Sequence, residues 1–143
     1  MSATYNYIEL ARGGPRFRGS LYKIEELKEY IGIAYRTKEP LYRSVYLYNE
    51  DAVDYVQSHK TLRNYYGSRG LDNIIIDIDK KDNTDDLTLR TTQSILYRLE
   101  TELGVQQSAF QVFFSGTGYH IAITNEVFVF TPNKELPFQL KET

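Results

Sequence analysis

Cysteine and tryptophan are both missing from the 143 residues. Without cysteine there is no disulfide, no thiolate zinc site and no cysteine nucleophile. That absence sits most simply with an intracellular protein, and the expected compartment is the cytoplasm, or the host cytoplasm for a viral protein. Also lacking is any apolar run of membrane-spanning length. The N-terminal Met1-Ser2-Ala3-Thr4-Tyr5-Asn6-Tyr7 has no charged segment followed by an apolar one. A soluble, unprocessed chain with no membrane partner is therefore expected. Excess charge of one sign is absent too, because 17 Lys and Arg stand against 19 Asp and Glu for a net charge of −2. Any polyanion must then be held by a local surface rather than by the field of the whole chain. Internal repeats and low-complexity tracts are absent as well.

What is present is an apolar fraction of 41% in a chain long enough to bury a core, read as a single domain over 1–143. Thirteen Tyr and seven Phe give an unusual aromatic bias. Many of these rings fall in strand-like segments, where half-buried tyrosine is common. Ala11 to Gly19 form a basic, Gly/Pro-punctuated loop. The spacing of Leu21, Ile24, Leu27 and Ile31 predicts a helix capped by Ser20 and stopped at Gly32. Arg43–Tyr48 reads as a strand, Asn49 caps a short helix through Val56, and a polar stretch leads to the apolar strand ending at Asp79. That is a β-α-β unit, which predicts parallel pairing. Thr84 or Asp85 starts the longest helix, carrying Leu87, Ile95, Leu96, Leu99 and Leu103 up to Gly104. Phe110–Phe114 and Tyr119–Thr124 form a hairpin, with Val127–Phe130 as an added edge strand and a polar tail beyond. The fold class is α/β or α+β, a mixed sheet with flanking helices.

Two segments carry chemistry. In Asn73-Ile74-Ile75-Ile76-Asp77-Ile78-Asp79, alternation turns both carboxylates to one face, about 7 Å apart, with Ile76 and Ile78 on the other. Two like charges on one face invite a hard divalent cation, Mg²⁺ or Mn²⁺. The plain alternative is a strand end meeting solvent. In Ser115-Gly116-Thr117-Gly118-Tyr119-His120, glycines at 116 and 118 let a triphosphate approach main-chain N–H groups. Ser115 adds a hydroxyl, and His120 stands one step into a strand, where an imidazole can donate to a phosphate oxygen. A turn cap and a structural histidine are the ordinary readings of these two.

An apolar strand ending Asp-x-Asp, a helix, then Ser-Gly-x-Gly-x-His at a strand turn resembles the archaeo-eukaryotic primase superfamily, most of all viral and plasmid primase-polymerases. The likeness spans about residues 43–124. It implies a primase-polymerase catalytic core with RRM-like β-α-β elements. It assigns catalytic metal binding to Asp77 and Asp79, phosphate contact to His120, and the shaping of the nucleotide pocket to Ser115, Gly116 and Gly118. Family members use a third acidic residue on a later strand, whereas the only acids after His120 are Glu126, Glu135 and Glu142. The expectation is an N-terminal part of a catalytic domain that continues beyond the chain, with a shorter or inactive relative as the other possibility.

The implied reaction is template-directed nucleotidyl transfer on single-stranded DNA from an NTP or dNTP, in DNA replication beside a helicase or a downstream helicase domain. Lys80, directly after Asp79, is a candidate phosphate contact. Arg12, Arg16 and Arg18 in the Gly-rich loop, with Arg63 and Arg69 around Tyr65 and Tyr66, are candidate template contacts through phosphate pairing and base stacking. Solvated surface is the ordinary reading of all six cations. Two rival classes remain: a non-catalytic nucleic-acid-binding or replication-initiation module of the same fold, and a glycosyltransferase holding Mn²⁺ and a nucleotide sugar with its DxD. The second has no need of Ser115 to His120.

Overall fold

The computed structural model describes residues 4–128 and 131–135. The chain divides into two compact units, one of Met1–Leu71 with Phe130–Thr143 and one of Asp72–Val129. Together they hold three small antiparallel sheets and three α-helices among the described residues, an α+β architecture.

In the first unit, β1 (Tyr7–Arg12) is the centre of a three-stranded sheet between β2 (Leu21–Lys23) and β3 (Leu41–Arg43). The pairing of Tyr7, Ile8 and Glu9 with Lys23, Tyr22 and Leu21 claims as strand the residues whose spacing predicted the start of a helix. Helix α1 therefore runs Leu27–Thr37, with Gly32 inside it and the left-handed Lys38 as its stop. The strand expected over Arg43–Tyr48 is split. Ser44 leaves β3 to bond Glu9, its Oγ accepting from the Glu9 N–H at 3.0 Å and donating to the Tyr46 carbonyl at 2.7 Å. The chain then enters β4 (Tyr46–Leu47), which pairs with β5 (Gly70–Leu71). Helix α2 (Glu50–His59) follows Asn49 as expected, although the Asn49 side chain makes no capping bond. Tyr48, Ala52 and Tyr65 form a buried cluster beneath Tyr7, Leu21, Tyr46, Tyr55 and Leu62.

The second unit contains β6 (Asn73–Ile78), α3 (Asp85–Thr101), β7 (Phe110–Phe114) and β8 (Tyr119–Thr124), with strand order β6-β8-β7. Every pairing between strands among the described residues is antiparallel, which corrects the mixed sheet and the parallel β-α-β unit: β4 pairs with β5, and β6 with β8. Ile78, Leu99, Val105, Ala109, Ile121 and Ile123 are the core, with Ile74, Ile76, Ile95 and Leu96 packed on it. Burial of each large side chain there is worth about 1.5–3 kcal/mol.

Helix α3 starts where Thr84 predicts, its Oγ1 accepting from the Leu87 N–H at 3.1 Å. Its buried face reads Thr88, Thr92, Leu99, while Leu87 and Leu103 are exposed. Threonine serves there because Thr88 and Thr92 return their hydroxyls to the carbonyls of Thr84 and Thr88, both at 2.9 Å, so no polar atom is stranded. Val127 and Phe128 are not in a strand, and residues 129 and 130 of the expected edge strand lie outside the described residues, as do 136–143 of the tail.

Candidate nucleotide and metal site

The antiparallel pairing of β6 with β8 brings the two motif segments together. β6 and β8 pair Asp77 with His120 directly, and His120 Nε2 lies 3.1 Å from Asp77 Oδ1. Both side chains remain open to solvent, at 45% for His120 and 56% for Asp77. Alternation along β6 sends Ile74, Ile76 and Ile78 to the core and leaves Ile75 and Asp77 on the exposed face, with Asp79 immediately after the strand and also exposed. On its other side His120 is paired with Phe113 of β7. One rung across three strands thus reads Asp77, His120, Phe113, and directly opposed side chains of this kind have Cβ atoms about 4.5–5.5 Å apart. Phe113 does not stand out in the sequence, because its place beside His120 follows from the β7–β8 register.

The turn between β7 and β8 closes on itself. Ser115 N–H donates to the Gly118 carbonyl at 2.9 Å, and Gly118 N–H donates to Ser115 Oγ at 3.0 Å. The two glycines have different reasons to be there. Gly116 holds φ at +101° in open space. Gly118 lies against the end of β6, where a Cβ would overlap the Ile78 carbonyl oxygen and come within 3.3 Å of Asp79 Cα. Asp79 is therefore held beside the glycine turn, and Ser115 and Gly118 each have a structural task in the hairpin.

Two exposed carboxylates and an imidazole supply the hard oxygen donors and the nitrogen donor that a Mg²⁺ or Mn²⁺ ion and a phosphate would meet. Among the described residues no three His, Cys, Asp or Glu side chains are grouped to hold a metal. Magnesium is commonly held by one or two carboxylates with the substrate's own phosphates completing its shell, so Asp77 and Asp79 fit that mode. Lys80 is paired with Asp85 at 2.7 Å, a contact whose acid is 89% exposed and which solvent screens.

The predicted template cations have varied partners. Arg12 pairs with Glu39 at 3.2 Å. Arg16 stacks over the exposed Phe17 ring, 4.8 Å from its centre. Arg18 donates through Nε and an Nη to Glu9 Oε1 at 3.2 and 2.9 Å, while Gly19 N–H donates to Oε2 at 2.9 Å. Glu9 is a buried carboxylate in β1, and the charge of Arg18 is its compensation. Arg18 also borders a cavity of about 360 Å³ shared with Glu9, Tyr42, Arg43 and Tyr46. Arg63 is exposed, and its carbonyl accepts from the Tyr55 hydroxyl at 2.8 Å. Arg69 donates to the Tyr65 carbonyl at 2.6 Å and lies over the rings of Tyr46 and Tyr65.

No family model, no curated protein and no solved structure matches this chain. No helix of the described residues is long and apolar enough to cross a membrane.

Proposed function

We propose that this chain carries the metal and nucleotide site of a template-directed nucleotidyltransferase of the primase-polymerase kind, acting on single-stranded DNA with an NTP or dNTP. The observation that supports it is the rung joining Asp77 to His120, with Asp79 beside the glycine turn. A phosphoryl-transfer site needs anionic oxygens for a hard cation and N–H donors for phosphate, side by side on an open surface.

In this reading Asp77 and Asp79 hold the cation. Bound there, Mg²⁺ or Mn²⁺ supplies neutralisation of phosphate charge. His120 exchanges the Asp77 oxygen for a phosphate oxygen of the nucleotide, and Lys80, held only by an exposed aspartate, is free to swing toward the same charge. Gly116 has open space where a side chain would begin, so no side chain at that position crowds the phosphates. A primer 3′-hydroxyl attacks the α-phosphorus and gives up its proton to solvent; the new O3′–P bond forms, and the bond to pyrophosphate breaks. Arg16 on Phe17, with Arg12, Arg18, Arg63 and Arg69, supplies positive and aromatic surface for the template.

Primer extension on a single-stranded DNA template with Mn²⁺, in the protein's full natural reading frame, tests this. Asp77→Asn and Asp79→Asn should each abolish incorporation, and wild-type rates in both would overturn the assignment. DNA binding without incorporation by any form would leave the non-catalytic module.

A further inference from the structure

We infer that Phe113 is the platform on which the nucleoside of the bound nucleotide packs, the base or ribose lying on its ring while the phosphates reach His120 and the carboxylates. This rests on the nucleotide reading of the site given above and extends it to the part of the ligand that the phosphate-binding groups do not touch.

Three observations carry it. Phe113 is 50% exposed although it is a large aromatic residue in a strand. It is the direct partner of His120, on the face that also bears Asp77. Its neighbour Phe114 points to the opposite face and meets Tyr119 there, ring centres 5.4 Å apart, whereas Phe113 has no ring partner among the described residues. The exposed face therefore reads, strand by strand, acid, imidazole, bare aromatic ring. Neighbouring strands are about 4.8 Å apart, a step of the order of the reach from a 5′-phosphate across its ribose. A nucleotide laid across the strands would put its charged end over β6 and β8 and its flat, apolar end over β7. Stacking on a phenyl ring tolerates every base, so the platform adds affinity without choosing among them.

The natural absence of tryptophan makes the test direct, because Phe113→Trp introduces the chain's only indole. The probes are dATP and inorganic tripolyphosphate, each with Mn²⁺, the second offering the charge without the nucleoside. In Phe113→Trp, dATP should quench the indole fluorescence and tripolyphosphate should not. In Phe113→Leu, which keeps an apolar side chain on the strand, dATP affinity should fall at least about fivefold while tripolyphosphate affinity stays unchanged. Wild-type dATP affinity in Phe113→Leu overturns the platform and leaves the phosphate site standing, as does an equal loss for both probes. Quenching by single-stranded DNA but not by dATP also overturns it. If neither probe binds the wild-type chain, the nucleotide reading falls and takes the platform with it.

Discussion

His120 Nε2 and Asp77 Oδ1 lie 3.1 Å apart across a directly paired rung of β8 and β6. The imidazole that would contact a phosphate is thus already held by one of the carboxylates that would hold a cation. Because both groups are half open to solvent, the contact orients the ring more than it stabilises the fold. His120→Ala should weaken nucleotide binding about tenfold or more, as expected for a lost hydrogen bond to a charged group. Affinity for template DNA should change far less. Titrating labelled dNTP and labelled oligonucleotide against wild type and variant checks this, and equal dNTP affinities would make His120 a structural residue.

The two turn glycines should fail differently. Gly118→Ala sets a methyl group against the Ile78 carbonyl, backbone against backbone, and should cost about 2–4 kcal/mol or unpair the β6 end from β8. Gly116→Ala meets open space and bears only the strain of a positive φ, about 1 kcal/mol. Chemical denaturation of the two variants should give that order, and a milder Gly118→Ala would contradict the close approach.

Arg18 serves Glu9 before it serves any ligand. Arg18→Ala leaves a buried carboxylate with the Gly19 N–H as its remaining partner, so a loss of about 1–3 kcal/mol is expected although the arginine is itself exposed. Arg16→Ala, which removes a surface stacking contact on Phe17, should stay within about 0.5 kcal/mol of wild type. DNA affinity measured on both variants then separates the roles, since only Arg16→Ala can lose binding without losing stability.

Burial pushes the Tyr48 phenol from 10.0 up to about 12, the nearby Arg69 guanidinium pulling only partly the other way. The folded state prefers the neutral ring, so this stabilisation is complete below about pH 10 and is lost as the pH rises through about 12. The amount at stake is about 2–3 kcal/mol. Denaturation midpoints at about pH 9 and about pH 11.5 should converge in Tyr48→Phe relative to wild type. A remaining slope is expected from Tyr65, which burial also raises, and an unchanged slope would show that Tyr48 ionises freely in the fold.

The elements around the site were legible because their signals are local. Alternation placed Asp77 opposite Ile76 and Ile78, Thr84 announced α3 by its own cap, and the hairpin strands Phe110–Phe114 and Tyr119–Thr124 have the expected ends. What was not legible depends on partners distant in sequence. Leu21–Lys23 has helical spacing, and only pairing with Tyr7–Glu9 makes it a strand. Thr88 and Thr92 look like surface positions until their hydroxyls are bonded back along the helix. The rung of Asp77, His120 and Phe113 needs the register on both sides of β8, which residue types alone do not give. The cations Arg12 and Arg18 read as free, yet each meets an acid supplied by another part of the chain.

The assignment of Asp77 and Asp79 is decided by equilibrium binding of a labelled dNTP to this chain, with and without Mn²⁺, for wild type, Asp77→Asn and Asp79→Asn. Binding should require Mn²⁺ and fall at least about tenfold in each variant, with unfolding free energies within about 0.5 kcal/mol of wild type because both carboxylates are exposed. Binding that is indifferent to Mn²⁺, or equally tight in the two variants, would contradict it.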